Sequence, residues 1–228
     1  MTQLYLVRHG QAGDIGSQYD SLSKTGWHQV ELLAQYMDAC QLRFDEIWCG
    51  TLQRQRMTLD AFQFAYPQEH KAWHDPALDE IPFELLLAQF DKQHPEHPGA
   101  GKAQRLSSPM LFISALSKAI DLWRAGLLDG IEETWEDYKR SSTRWLYGRN
   151  QASEPGKKVL AISSAGSISV LITIALRLDD SQLHCFNTQM HNSAVTVMDL
   201  QRSGDIRMTL YNSTAHLTQN RPDLITTI

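Results

Sequence analysis

The chain has 228 residues, 42% of them hydrophobic, and a formal net charge of -5. This length and composition suit one large globular domain, or a domain carrying an insertion, and exclude a disordered chain. The negative balance argues against nucleic acid or an anionic membrane as a partner, so cations that bind an anionic ligand must be gathered locally. The three cysteines, Cys40, Cys49 and Cys185, are odd in number and show no CxxC spacing, which predicts reduced thiols in a cytoplasmic protein. Only Met1, Thr2 and Gln3 precede the first apolar run, so no signal peptide is expected. The longest apolar run, Ile168 to Leu178, is broken by Ser169, Thr173 and Arg177 and is too short and polar to span a bilayer.

In chain order, residues 3 to 7 read as a buried strand, and 25 to 39 as a helix with Trp27, Val30, Ala34 and Met37 on one face. Glu46 to Cys49 reads as a second strand, followed by a helix through about Phe64. Pro67, Pro76 and Pro82 punctuate the next section, and a helix through about Phe90 follows. His94 to Gly101 is a Pro/Gly loop. Ser108-Pro109 opens a helix that Gly126 ends, and Thr134 to Tyr147 is another, with Thr134 and Asp137 at capping-box spacing. Lys158 to Ser163 is a strand and Gly166 to Arg177 its helix, and residues 194 to 200 and 206 to 212 are strands around a Ser203-Gly204 turn. This alternation predicts an α/β three-layer sandwich with a mostly parallel central sheet. The helical block from about 83 to 150 interrupts it and reads as a cap inserted into a single domain spanning residues 1 to 228.

In open α/β sheets ligands bind beyond the carboxyl ends of the strands. Three such ends carry polar groups: Arg8-His9-Gly10, the turn after Cys49 with Thr51 and Arg54, and Ser163-Ser164-Ala165-Gly166. A neutral imidazole is a good nucleophile toward phosphorus. Neighbouring guanidinium groups keep it neutral and can grip phosphoryl oxygens without a metal. Gly10 lets the backbone come close to a ligand.

Leu6-Val7-Arg8-His9-Gly10-Gln11-Ala12 resembles the opening motif of the histidine phosphatase superfamily, the phosphoglycerate mutase-like fold. Leu22-Ser23-Lys24-Thr25-Gly26-Trp27-His28-Gln29 is similar to its L-[ST]-x-x-G-x-x-Q stretch. Gly50-Thr51-Leu52-Gln53-Arg54 with Thr58 is similar to its S-x-L-x-R-x-x-x-T segment, Leu78-Asp79-Glu80-Ile81 to its L-x-E-[IV] segment, and Asn192 to Val197 to its closing strand. The resemblance runs over most of the chain in the right order. It implies a metal-independent phosphomonoesterase without cofactor, acting on a small phosphorylated substrate. It also implies that His9 carries the phosphoryl group, Arg8 and Arg54 clamp it, and Glu80 serves as general acid and then general base. Gln11 and Ser17 would line the phosphate approach.

The pattern breaks at Ser164, which stands where the superfamily's S-H-G-G segment has a second histidine. A serine hydroxyl offers a neutral hydrogen bond about half as strong as a charged one, and losing one preorganised donor typically costs about 10² to 10³ in turnover. A slowed phosphatase is therefore expected. The glycine-tryptophan-glutamate-glycine stretch that often follows the acid is replaced by Phe83-Glu84-Leu85-Leu86, which makes Glu84 a substitute for Glu80. His191, just before the closing strand, is a candidate to replace the missing histidine.

Each of these residues also has a plain reading. Arg8-His9 can be a strand end meeting solvent, Arg54 a solvated helix residue as Arg56 is, and Glu80 part of an acidic surface with Asp75, Asp79 and Glu84. Ser23 and Thr25 read as turn and cap residues. His94 and His97 lack the ligands to complete a metal site. The segment Gly99 to Lys102 is no phosphate loop, because residue 96 is glutamate. Trp123, Trp135 and Trp145 read as core of the cap.

Two other function classes remain. One is a phosphate-binding protein on the same fold, disabled at Ser164. The other is a serine hydrolase using Ser164 at an elbow-like turn, with Asp179 or Asp199 and His184, His191 or His216; its first elbow glycine would be residue 162, which is isoleucine. A phosphoglycerate mutase is disfavoured, because such mutases follow the triplet with Glu-Ser-x-Trp-Asn where this chain has Gln11 to Ile15.

Overall fold

A computed structural model describes residues 1–13, 20–66, 71–218 and 221–227; Ser17, Asp14, Ile15 and Pro67 lie outside them. Six strands form one sheet: β1 (Thr2–Arg8), β2 (Glu46–Cys49), β3 (Ala72–His74), β4 (Lys158–Ser163), β5 (Val195–Leu200) and β6 (Ile206–Ser213). Their order is β3-β2-β4-β1-β5-β6. β1, β2, β3 and β4 pair in parallel, and β5 runs antiparallel to both β1 and β6. The sheet is thus mostly parallel, with β1 and β4 at its centre, where apolar runs such as Leu4-Tyr5-Leu6-Val7 must be covered on both faces.

Side chains that alternate along the central strands divide between two cores. Tyr5, Val7, Leu160 and Ile162 pack with α1 (Lys24–Ala39) and α2 (Gln53–Ala65) through Val30, Leu33, Ala34, Met37, Leu59 and Phe62. Leu4, Leu6, Val159 and Ala161 pack on the other face with α7 (Ala165–Ala175) and with Trp145 and Leu146 of α6 (Trp135–Gln151). α7 is apolar nearly all round and buried; two of its polar residues bond within the helix, Ser169 Oγ to the Ala165 carbonyl at 2.7 Å and Thr173 Oγ1 to that of Val170 at 2.9 Å. It stops at Ala175 because Arg177 takes φ +53°, so the helix expected through Arg177 is shorter than its apolar run. Among the described residues no helix is long and apolar enough to cross a membrane.

The chain divides into two compact units, Met1–Glu80 with Thr143–Ile228, and Ile81–Ser142. The second unit contains α3 (Phe83–Gln93), α4 (Lys102–Ser107), α5 (Pro109–Arg124) and the start of α6. Asp91 and Arg105 form a bidentate pair, Oδ1 to Nη1 at 2.6 Å and Oδ2 to Nη2 at 2.9 Å, and Asp91 also accepts from Gly101 N at 2.9 Å. His94 and His97 lie against Phe90, with ring centroids 5.2 and 5.1 Å away. Trp123 and Trp135 meet edge to face at 5.4 Å inside this unit. Trp145 instead belongs to the sheet unit, where it packs on Trp48 at 6.3 Å.

Candidate active site

The site is built where β1, β2 and β4 end. Arg8 pairs with Ser163 in the parallel register, and His9 N donates to the Ser163 carbonyl at 2.9 Å. His9 and Ser164 therefore leave neighbouring strand ends side by side. On its other flank the His9 carbonyl accepts from Ser193 N at 3.2 Å and Asn192 Nδ2 at 3.4 Å. The imidazole is 2% exposed. Backbone on both sides thus fixes its Cα, and burial restricts the ring.

The two ring nitrogens have different partners. Nδ1 lies 2.7 Å from the Gly10 carbonyl, which can only accept, so Nδ1 carries the hydrogen. Nε2 keeps its lone pair and accepts from Arg54 Nε at 3.3 Å. Burial pushes the His9 pKa well below the ordinary histidine value, and the Arg8 and Arg54 charges push it the same way against the Gly10 bond. The ring is neutral at pH 7, with a lone pair on Nε2.

Arg54 is 4% exposed, whereas Arg56 on the same helix is exposed. Its Nη1 forms an ion pair with Asp20 Oδ1 at 2.7 Å. Asp20 also accepts from Gln53 N at 3.1 Å, so one carboxylate covers the start of α2 and the arginine together. Thr58 Oγ1 accepts from Gly10 N at 3.1 Å and donates to the Arg54 carbonyl at 2.8 Å, which locks α2 to the loop after β1.

Arg8 points toward the C-terminal segment. Its Nη1 donates to the carbonyls of Met190 and Thr227, the latter at 2.7 Å. Gln11 is held by Ser23, whose Oγ donates to Gln11 Oε1 at 2.9 Å while capping α1 through Gly26 N at 3.0 Å. Gly10 is required by packing: a Cβ there would lie 2.5 Å from the Gly26 carbonyl, and a Cβ on Gly26 would lie 2.2 Å from that of Gln11.

Ser164 is fully buried at the start of α7, and its Oγ accepts from Gln55 Nε2 at 2.9 Å. Asp79 accepts from both N and Oγ1 of Thr51. The Leu78 carbonyl accepts from Gln55 Nε2 at 2.9 Å and from Ser163 Oγ at 2.7 Å. These bonds hold residues 78 and 79 against the ends of β2 and β4, and Glu80 follows half-buried. Glu84 is exposed on α3, in the second unit. His191 is half-buried; its N donates to Asn212 Oδ1 at 2.8 Å. Of the polar residues that a hydrolase built on Ser164 would need, Asp199 accepts from Gln3 Nε2 at 3.4 Å and His216 bonds Ser193 at 2.8 Å. Among the described residues no group of three or more His, Cys, Asp or Glu is placed to hold a metal ion.

Besides Asp20, Gln55 is a site residue that the motifs do not point to. Its signal in the sequence is a polar residue in register with Leu59 and Phe62, on the buried face of α2.

No curated protein sequence matches the chain. Solved structures with the same fold include phosphoserine phosphatase from Entamoeba histolytica in complex with 3-phosphoglyceric acid, at 21% identity and a TM-score of 0.65, covering 95% of this chain and 100% of that one. The alpha-ribazole phosphatase from Shigella flexneri is 16% identical with a TM-score of 0.65, covering 93% and 96%. A mycobacterial glucosyl-3-phosphoglycerate phosphatase is 21% identical with a TM-score of 0.62, covering 92% and 98%. The profile of the Histidine phosphatase superfamily (branch 1) matches residues 4–214, and the chain therefore belongs to that superfamily.

Proposed function

We propose that the protein is a metal-independent phosphomonoesterase that works through a phosphohistidine on His9. The observation that carries this reading is the ring itself: Nδ1 is tied to the Gly10 carbonyl, and Nε2 keeps its lone pair beside Arg54. Nε2 attacks phosphorus, and the phosphorus–oxygen bond to the leaving group breaks. Glu80 gives its proton to the leaving oxygen. Water then attacks the phosphoryl group, Glu80 takes a proton from it, and the phosphorus–nitrogen bond breaks to release phosphate. The Gly10 carbonyl stabilises the cationic phosphoimidazole through Nδ1–H, and the charges of Arg54 and Arg8, both felt at the ring, offset the phosphoryl charge.

In this reading Ser164 takes the place of a second histidine and supplies a neutral hydrogen bond, about half as strong as a charged one. Gln11 faces the phosphate approach, and the substrate is a small phosphorylated metabolite. That class fits relatives named for phosphoserine and glucosyl-3-phosphoglycerate. The unit Ile81–Ser142 is read as an insertion into a single histidine-phosphatase domain. One observation favours a binding protein without turnover: Ser164, a neutral donor, stands where the second histidine is expected, and its Oγ already bonds Gln55 Nε2 at 2.9 Å.

Hydrolysis of p-nitrophenyl phosphate without added metal decides between the two. Turnover in the wild type that is lost in His9→Ala supports the phosphatase. Equal rates in both proteins would leave the binding reading.

A further inference from the structure

We infer that Gln55 is a positioning residue: its buried carboxamide turns the Ser164 hydroxyl into a hydrogen-bond donor aimed at the phosphoryl group. This rests on the phosphohistidine reading and adds to it a residue outside the motifs.

The orientation of the amide is fixed by backbone groups that have only one polarity. Gln55 Oε1 accepts from Leu52 N at 3.2 Å, and Nε2 donates to the Leu78 carbonyl at 2.9 Å. Nε2 is thus the donor side, and its bond to Ser164 at 2.9 Å makes Oγ an acceptor there. The Ser164 hydrogen must then point elsewhere. A serine at a helix start ordinarily turns its oxygen to the N–H groups of its own first turn, as Ser23 does for Gly26. Ser164 stands at the start of α7 and makes no such bond. Among the described residues Gln55 is the one hydrogen-bond partner of its Oγ.

Space for this arrangement is provided on purpose by backbone. A Cβ on Gly50 would lie 1.9 Å from Gln55 Oε1 and 2.7 Å from Asp79 Oδ1, so the glycine admits the carboxamide. Gly50 N donates to the Ile162 carbonyl at 3.1 Å, which brings the end of β2 to β4 beside Ser164. One fully buried amide therefore links three parts of the site: the α2 turn that carries Arg54, the Leu78 carbonyl two residues before Glu80, and Ser164. A buried amide with both hydrogens and its oxygen engaged is a rigid fixture.

The test is a cycle of full-length variants, Gln55→Met, Ser164→Ala and both together, measured for kcat and KM on p-nitrophenyl phosphate, beside the wild-type structure with vanadate. Removing a preorganised donor costs about 10² to 10³ in kcat, and Gln55→Met is expected to lower kcat about tenfold by freeing the serine rotor. In the Ser164→Ala background the same change should cost less than about twofold, because Gln55 acts through the hydroxyl. Equal losses in both backgrounds, or a silent Ser164→Ala, would overturn the inference. Should Gln55→Met fail to fold, the vanadate complex decides: Ser164 Oγ within hydrogen-bond reach of a vanadate oxygen, with Gln55 still on Oγ, supports it. Vanadate on His9 with Oγ turned away overturns it and leaves the phosphohistidine reading standing. Vanadate that does not reach His9 removes that reading and the inference with it.

Discussion

At the residue scale, the difference between His9 and a solvent-facing histidine lies in what surrounds each nitrogen. Burial and two guanidinium groups oppose protonation, so the ring stays neutral as pH falls through 6.5. NMR of ring nitrogens should show the Nδ1–H tautomer of His9 unchanged from pH 8 to pH 6; titration near the ordinary value of about 6.5 would contradict this. The motif marks Arg8, His9 and Arg54, because they stand at or just beyond strand ends in the sequence. Two features were not legible. Asp20 reaches Arg54 from 34 residues away, and Gln55 reaches Ser164 from 109 residues away. Such pairings exist only once the sheet has brought the ends of β1, β2 and β4 together.

At the scale of elements, the contact between the loop after β1 and the start of α1 leaves no room for a side chain. Glycine inside a helix is ordinarily a cost of about 0.5–1 kcal/mol against alanine, and here the approach of Gln11 reverses that preference. Gly26→Ala places a Cβ 2.2 Å from the Gln11 carbonyl, which should destabilise the fold by about 1–3 kcal/mol through overpacking. Thermal unfolding checks this: a lowered Tm is expected, and an unchanged or raised Tm would contradict it. Periodicity made the long elements readable. β4 spans the residues expected, and α1 and α2 lie within a residue or two of theirs. β3, with three residues, and α4, α8 (Leu183–Asn187) and α9 (Ala215–Thr218) are too short to carry a repeat, and tertiary contacts decide them. α6 was readable as a helix, but its division between two packing environments was not: Trp135 packs with Trp123, and Trp145 packs on the sheet.

At the scale of the whole molecule, histidines buried in neutral form make stability depend on pH. His216 is buried against Ser193 Oγ at 2.8 Å, and burial lowers its pKa to about 4. In the unfolded chain it returns to about 6.5. The unfolded state therefore binds more protons between these values, and stability is full above pH 6.5 and lost as pH falls toward 4. This single group contributes roughly 3 kcal/mol across that window, and the lowered pKa of His9 acts in the same direction. Denaturant melts at pH 7 and pH 4.5 should show the loss, and His216→Gln should reduce the difference between them. An equal pH dependence in that variant would assign the effect to other groups.

The most direct test of the account is to mix the protein with excess p-nitrophenyl phosphate, quench in alkali, and map any phosphorylated residue by mass spectrometry. Phosphohistidine survives alkali and is lost in acid, which separates it from phosphoserine. The account predicts an acid-labile phosphoryl group on His9 Nε2, absent in His9→Ala. Turnover with no label on His9, or a label on Ser164, would contradict it.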